Sequence, residues 1–301
     1  MSEKRVRKIL TEEQKVGLIL IFPPLLLITV FFLKPLLETC WLSFSYKNLL
    51  RPHAPNRFVG LENYTWMVQS PMFWGTMART LIYTVSVSAV SIITGLVVAL
   101  LMNCEFKGKS IAFALVMLPW VTSDMVASFV FTWIFDLGNG ILNYLMVDVL
   151  HLMKAPVVWL GEPKLAMISA IAVAVWRFLP FTILVLLAAL KQVPPELVDA
   201  ARIDGAGSIG VFRNVTLPTI KGPLLVLIIF RFAAVFRTFE GIYLLTRGGP
   251  GDATNVLSIW YYKTGFEAFK LGNAAAIAML IVALSAAVYL TVTKVGKDEA
   301  I

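Results

Sequence analysis

Six hydrophobic stretches, each long enough to cross a lipid bilayer, dominate this sequence. They occupy residues 17–33, 78–102, 111–134, 165–190, 222–245 and 273–293. A bilayer core of about 30 Å requires about 20 apolar residues per helix, because a chain inside lipid must satisfy its own backbone hydrogen bonds. The composition agrees, since 58% of the residues are hydrophobic and only 15% are charged, against roughly 25% charged residues in soluble domains. The sequence therefore predicts an all-α, polytopic membrane bundle of six transmembrane helices.

The first stretch has a competing interpretation. Pro23 and Pro24 interrupt it and basic residues precede it, so residues 1–33 also resemble a signal peptide. Its apolar run is longer than the usual 7 to 15 or so residues, and no small-residue cleavage site follows. Because membrane helices tolerate proline, the sequence favours an uncleaved first helix.

Lys and Arg are distributed unevenly between the two sets of segments that flank these stretches. The set that includes both termini carries 13 of these residues in 63 positions, whereas the opposite set carries 9 in 101. Positive residues concentrate on the cytoplasmic side of membrane proteins, so both termini are predicted to be cytoplasmic. Residues 1–16 then form a basic cytoplasmic tail, and residues 17–301 form a single transmembrane domain. The net charge of +8 suits anionic lipid near that tail, and no nucleic-acid partner is expected.

A polar loop at residues 191–221 separates the fourth and fifth hydrophobic stretches, on the predicted cytoplasmic side. Pro195 can start a helix, and the acidic Glu196 and Asp199 suit the positive N-terminal end of that helix. Gly205 can take the left-handed conformation that ends a helix sharply. The loop is therefore predicted to form a compact helix-turn-helix that faces cytoplasmic partners.

One segment resembles a nucleotide-binding loop but lacks two features that such a loop requires. Residues 103–110 end like a phosphate-binding loop, in Gly108-Lys109-Ser110, but Asn103 stands where the first glycine belongs and no strand precedes the segment. The sequence also shows no nucleophile paired with a base and no cluster of metal ligands. It therefore predicts no catalytic, cofactor or metal site in this chain, which is not expected to be an enzyme.

Three blocks of sequence stand out together. They are Asp199-Ala200-Ala201, Gly205 and Val215-Thr216-Leu217-Pro218 in the polar loop, Gly108-Lys109-Ser110 with Leu118-Pro119-Trp120, and Leu245-Thr246-Arg247-Gly248-Gly249-Pro250 with Gly272-Asn273-Ala274-Ala275-Ala276. The first block resembles the EAA loop of the permease subunits of bacterial ABC importers. The other two narrow the resemblance to the carbohydrate-uptake branch, similar to the maltose and glycerol-phosphate permeases.

The resemblance implies an importer subunit of the bacterial cytoplasmic (inner) membrane that works with several partners. It implies a second, homologous permease, two cytoplasmic ATPase subunits that hold ATP and Mg, and an outer solute-binding protein, periplasmic or lipid-anchored, that delivers a carbohydrate. The chain itself is then expected to bind no cofactor. An ABC importer for an anionic sugar derivative, carrying a phosphate or a sulfonate, and an ion-coupled secondary transporter are the alternative functions.

The resemblance also assigns roles within residues 191–221, which we call the coupling loop. This loop is expected to form the coupling helix that sits in a cleft on the ATPase. Asp199 either anchors a cationic ATPase side chain or caps a helix, because Asp is one methylene shorter than the Glu that is usual at this position. The full set of predicted coupling residues is Glu196, Asp199, Ala200, Ala201, Gly205, Leu217 and Pro218.

Charged residues inside the hydrophobic stretches are candidates for a substrate path or for permease–permease contacts, because an ionisable group is costly in lipid. Arg237 and Glu240 are three residues apart, so they are predicted to pair on one face of the fifth helix. Aromatic neighbours on a polar face suit a polyhydroxylated ligand, whereas Arg231 or Arg237 could attract an anionic group. The predicted set is Asp124, Arg231, Phe236, Arg237, Glu240 and Tyr243.

Overall fold

The computed structural model of this protein describes residues 12–51 and 56–298. The predicted basic tail at residues 1–16 lies mostly outside the described residues. The chain divides into two compact units, one formed by residues 1–67 with 264–279 and the other by residues 68–263 with 280–301. Helices dominate both units, in agreement with the predicted class, while the single-domain prediction for residues 17–301 stays a prediction.

A long helical stretch begins the first unit. Helix α1 (Glu12–Ile28) continues through a π-helical segment (Thr29–Leu33) into α2 (Lys34–Ser43). Within it, Ile19–Ser43 is long and apolar enough to cross a membrane. The predicted first helix is therefore confirmed, and it extends beyond residue 33.

A small sheet, which was not predicted from the sequence, follows α2. Strands β1 (Ser45–Tyr46) and β2 (Arg57–Phe58) pair in the antiparallel direction, and α3 (Glu62–Gln69) comes after them. Strands of two residues are too short to show the alternating pattern that marks a strand in a sequence, so the hydrophobic pattern carried no sign of them.

Two long helices form the centre of the second unit. Helices α4 (Pro71–Asn103) and α8 (Pro163–Leu190) are both candidate membrane spans, and they share the most extensive helix contact of this unit. Gly95 on α4 permits their close approach, because a Cβ atom at this position would lie 2.6 Å from Thr182 Cγ2 on α8. The second and fourth predicted spans are therefore confirmed.

The third predicted span is not one helix. Helices α5 (Lys109–Val121) and α6 (Asp124–Ile134) bend by 101° where they join, so the prediction of one continuous helix is wrong. Thr122 and Ser123 adopt extended backbone, and the Ser123 hydroxyl accepts a hydrogen bond from Val126 N at 3.2 Å. Ser123 thus caps a new helix, a local signal that is hidden within a continuously apolar run.

Further short helices connect the long ones and complete the coupling loop. They are α7 (Ile141–Asn143), α9 (Pro195–Ile203), α10 (Ser208–Val211), α11 (Leu217–Thr219) and α14 (Leu257–Tyr262), with π-helical segments at Tyr144–Val149, Phe212–Thr216 and Lys263–Glu267.

The fifth predicted span, residues 222–245, is also interrupted. Helix α12 (Lys221–Phe236) ends before residue 237, and α13 (Glu240–Thr246) begins after a short non-helical connection. Helix α12 instead forms a pair bent by 71° with the preceding segment Ser208–Thr219. The prediction of one helix over this range is wrong, because hydrophobicity does not report where the backbone hydrogen-bond ladder breaks.

The last predicted span is confirmed by α15 (Leu271–Asp298), of which Leu271–Leu290 qualifies as a membrane span. The described residues thus contain four helices that qualify as candidate spans, or six candidate spans if each bent pair counts as one. The buried core of the second unit gathers around α4 and α8, in one cluster that includes Val87 and Ile259 and another that includes Ile183 and Leu186.

Candidate functional site

A cavity of about 320 Å³ opens in the second unit, where α4, α6 and α8 face the connection between α12 and α13. Ligand pockets in proteins span roughly 300–1,000 Å³, so this one is at the small end of that range. Its polar side chains include Tyr83, Asp124, Ser128, Arg177, Arg237 and Glu240. The cavity therefore combines charges of both signs with hydroxyl groups.

An ion pair joins two walls of this cavity. Arg177 Nε on α8 lies 2.7 Å from Oδ1 of Asp124, the first residue of α6. Arg177 Nη1 also donates to the carbonyl oxygens of Pro119 and Trp120 near the end of α5, at 3.0 and 3.3 Å. The last carbonyls of a helix lack partners within that helix, so the break between α5 and α6 presents acceptors that one guanidinium can hold.

The sequence pattern indicated Asp124 but not its pairing with Arg177. The two residues are 53 positions apart and lie on different helices, so no local spacing connects them. The available signal was the presence of two opposite charges in separate apolar stretches, since such charges tend to pair in membranes.

Arg237 and Glu240 both line the cavity, but they do not share a helix face. Helix α12 ends before Arg237, and Glu240 is the first residue of α13. Arg237 Nε donates to Ala233 O at 3.2 Å, and both charged side chains are exposed. The predicted helical pair is therefore wrong, because the helix that would have aligned the two residues stops between them.

Tyr243 belongs to an aromatic cluster beside the cavity. Its ring centroid lies 4.9 Å from that of Phe239, in a stacked arrangement, and 4.9 Å from that of Tyr262. Phe239 itself lines the cavity, although the sequence pattern did not single it out. The cluster forms an aromatic surface at the wall of the cavity. Aromatic surfaces of this kind contact the apolar faces of ligands.

Arg231 and Phe236 lie outside this cavity. Arg231 is only 2% exposed, and its Nη2 donates to Phe178 O at 3.0 Å and to Thr182 Oγ1 at 2.7 Å. Its guanidinium also lies over the Phe178 ring, 4.7 Å from the ring centroid. Arg231 thus fastens α12 to α8, while the buried Phe236 lines a separate apolar groove. The structure does not bring these two residues to the cavity, and their part in a substrate path or a permease–permease contact stays a prediction.

The position of Arg231 leads to a stability prediction. Arg231→Ala should destabilise the protein by about 2–5 kcal/mol, as large-to-small changes in packed sites do. Arg231→Met should have a much smaller effect, because it keeps most of the volume and removes a buried charge, and such replacements are often neutral. Thermal unfolding of the purified protein in nanodiscs measures both changes, and equal losses of stability in the two variants would contradict the packing role.

The coupling loop forms the predicted helix-turn-helix. Helix α9 has Pro195 at its first position, and Gly205 after its end has a φ of +86°. The chain then continues into α10 and α11. Two large apolar side chains flank the turn, Ile203 at 87% exposure and Ile209 at 83%. Large apolar side chains this exposed, together with the exposed Leu197 of α9, are typical of a protein-contact surface, although neither isoleucine was among the predicted coupling residues.

Asp199 lies in the middle of α9. Its Oδ1 is 3.5 Å from Arg202 Nη1, and both side chains are 67% exposed. Pro194 occupies the N-cap position of α9, so the prediction that Asp199 caps a helix is wrong. An exposed ion pair contributes only about 0–1 kcal/mol, so the carboxylate can exchange Arg202 for a cationic partner at little cost.

The structure places the other predicted coupling residues on the same short elements. Glu196 lies in the first turn of α9, Ala200 and Ala201 follow Asp199 on that helix, and Leu217 and Pro218 begin α11.

Known proteins resemble this chain along most of its length. The family model described as "Binding-protein-dependent transport system inner membrane component" matches residues 91–297. "Trehalose/maltose transport system permease protein MalF" of Thermococcus litoralis is 33% identical, over 99% of this chain and 100% of the relative. "Sulfoquinovosyl glycerol transport system permease protein SmoG" of Agrobacterium fabrum is 30% identical, over 94% of this chain and 91% of the relative.

Solved structures show the same fold. A chain of a bacterial alginate ABC transporter, crystallised in complex with an alginate pentasaccharide-bound periplasmic protein, has a TM-score of 0.80 and 19% sequence identity, covering 93% of both chains. At this identity the likeness concerns the fold. The family model covers more than half of the sequence, and the chain therefore belongs to the family of binding-protein-dependent transport system inner membrane components.

Proposed function

We propose that this chain is the transmembrane permease subunit of an ATP-binding-cassette importer that moves a carbohydrate into the cytoplasm. The observation that carries the proposal is the combination, in one chain, of a polar cavity between apolar helices and an exposed helix-turn-helix. The names of the relatives MalF and SmoG, a trehalose/maltose and a sulfoquinovosyl glycerol permease, support a sugar or sugar derivative as the substrate.

The proposal includes a topology and a set of partners. The chain crosses the membrane six times, and the coupling loop and both termini face the cytoplasm, as the distribution of Lys and Arg indicates. The partners are a second homologous permease, two ATPase subunits that hold ATP and Mg, and an outer solute-binding protein. The alginate transporter, crystallised with a periplasmic protein, supports the last of these. The chain itself catalyses no reaction and binds no cofactor.

A continuous stretch of chain links the coupling loop to the cavity. Segment Ser208–Thr219 meets α12 at a bend of 71°, and α12 leads directly to Arg237 at the cavity wall. At about 1.5 Å per residue, a helix of this length extends roughly 24 Å. An ATPase that moves the loop would therefore displace one wall of the cavity, while Arg231 keeps α12 in contact with α8.

Purification of the tagged chain from its own membranes tests the proposal. We expect two ATPase subunits and a second permease to co-purify, and we expect the reconstituted complex to import sugar only with ATP and the outer binding protein. An isolated chain that moves sugar in response to an ion gradient, without ATP, would instead identify an ion-coupled secondary transporter.

A further inference from the structure

The charges in the cavity are balanced. Two carboxylates, of Asp124 and Glu240, and two guanidinium groups, of Arg177 and Arg237, line it, so the formal charge of these four groups is zero. Two of the four are held in a fixed arrangement by the 2.7 Å contact between Arg177 Nε and Asp124 Oδ1. The cavity therefore does not present an excess of positive charge to a ligand, as a site for an anion would.

The surroundings of Arg177 reduce its attraction for an anion further. Its Nη1 donates to two backbone carbonyls, of Pro119 and Trp120, at the C-terminal end of α5, where a helix carries partial negative charge. Three acceptors thus surround this guanidinium, one of which is ionised. An anionic ligand would have to compete with all of them for the same cation.

The polar groups that remain available suit hydroxyl groups. Asp124 Oδ2 accepts no hydrogen bond from any residue that the structure describes, so it can accept one from a ligand O–H. Tyr83 is 2% exposed and lines the cavity, and in the described part of the chain its hydroxyl has no hydrogen-bond partner. A phenol both donates and accepts, which matches the dual capacity of a sugar hydroxyl.

We propose that this cavity selects uncharged polyhydroxylated ligands over anionic ones, and that the balance of charge among Asp124, Glu240, Arg177 and Arg237 sets this selectivity. The inference rests on the proposed function and names the substrate class of the same site. A neutral sugar can donate hydrogen bonds to Asp124 and Glu240 and accept them from Tyr83 and Arg237. A sulfonate, phosphate or carboxylate would instead be repelled by those two carboxylates, while the Arg177 guanidinium is already held by Asp124 and by two backbone carbonyls.

The test compares two probes that differ in a single charged group. Glucosyl glycerol is neutral, whereas sulfoquinovosyl glycerol carries a sulfonate in place of the hydroxyl at C6. Their dissociation constants are measured on the complete transporter in nanodiscs, without the outer binding protein, so that its selectivity does not contribute. We expect the wild type to bind the neutral probe at least about tenfold more tightly, the change produced by roughly 1.4 kcal/mol.

Charge-altering variants then identify the residues responsible. Asp124→Asn removes the carboxylate that pairs with Arg177. It should change the ratio of the two dissociation constants in favour of the sulfonate probe by about tenfold or more, whereas Arg177→Gln should change this ratio in favour of the neutral probe. The double variant restores the charge balance and should restore the wild-type ratio. Lys154→Gln, which changes one exposed charge outside the cavity, is the matched control and should leave the ratio unchanged.

Several outcomes would overturn the inference. One is failure of the wild type to bind glucosyl glycerol, and another is equal affinity of the wild type for both probes. The third such outcome is a ratio of the two dissociation constants that is the same in Asp124→Asn as in the wild type. If Asp124→Asn does not assemble, Glu240→Gln makes the same change of charge in the cavity at an exposed residue. An unchanged ratio of the two dissociation constants in Glu240→Gln then overturns the inference. ATP-driven uptake by the wild type is measured in parallel. Uptake without selectivity by charge refutes only this inference, whereas no ATP-driven uptake of any sugar refutes the proposed function itself.

Discussion

Gly205→Val is expected to reduce ATP-coupled uptake sharply while leaving the chain in the membrane. Gly205 has a φ of +86°, a left-handed conformation that costs an L-residue roughly 1–2 kcal/mol and a β-branched residue more. The variant should relieve this strain by changing the direction of the chain after α9. That change would separate Ile203 and Ile209, the exposed apolar pair on either side of the turn, and so disrupt the proposed ATPase contact.

Uptake and ATPase activity of the reconstituted complex measure this effect. We expect uptake to fall at least about tenfold, as a loss of roughly 1.4 kcal/mol in coupling would produce, with normal amounts of the chain in the membrane. Gly207→Ala is the matched control, because Gly207 has a φ of −68° and a Cβ atom there would meet nothing within 4 Å. Normal uptake by Gly205→Val would refute the coupling role of the turn.

Gly272→Ala is expected to impair folding of the first unit severely. A Cβ atom at Gly272 would lie 2.2 Å from the carbonyl oxygen of Ser45 and 3.1 Å from Asn63 Nδ2. The same Asn63 amide donates to the carbonyls of Ser43 and Ser45, at 2.9 and 3.0 Å. Because the closest atom is backbone, the added methyl group must displace the strand, at a cost of about 1–3 kcal/mol for overpacking and about 1–3 kcal/mol more for each buried group that loses its hydrogen bond.

The amount of monodisperse protein after solubilisation and its unfolding temperature measure the effect of Gly272→Ala. We expect both to fall well below the wild-type values. Gly222→Ala serves as the control, since a Cβ atom there meets nothing within 4 Å and the residue lies in α12, where Ala is favoured over Gly by about 1 kcal/mol. If the two variants have the same unfolding temperature, the close approach at Gly272 does not constrain the fold.

Features that depend only on residues close together in the sequence could be predicted from it. The coupling loop is the clearest case, because Pro195 starts a helix and Gly205 ends it through backbone preferences that need no distant contact. The breaks in the third and fifth spans could not be predicted in the same way. A helix broken within an apolar run leaves backbone groups without partners, and these must be satisfied by residues from elsewhere in the fold. At the end of α5, Arg177 donates hydrogen bonds to two such backbone carbonyls.

The sequence by itself determined that this chain crosses a membrane several times and carries an exposed helix-turn-helix, because hydrophobic length and the backbone preferences of proline and glycine act locally. Only the tertiary structure decided which charged residues meet. It paired Asp124 with Arg177 across 53 positions, separated Arg237 from the helix face it was predicted to share with Glu240, and buried Arg231 between α8 and α12. Charges attract through space, and the distances between them depend on how the helices bend and pack.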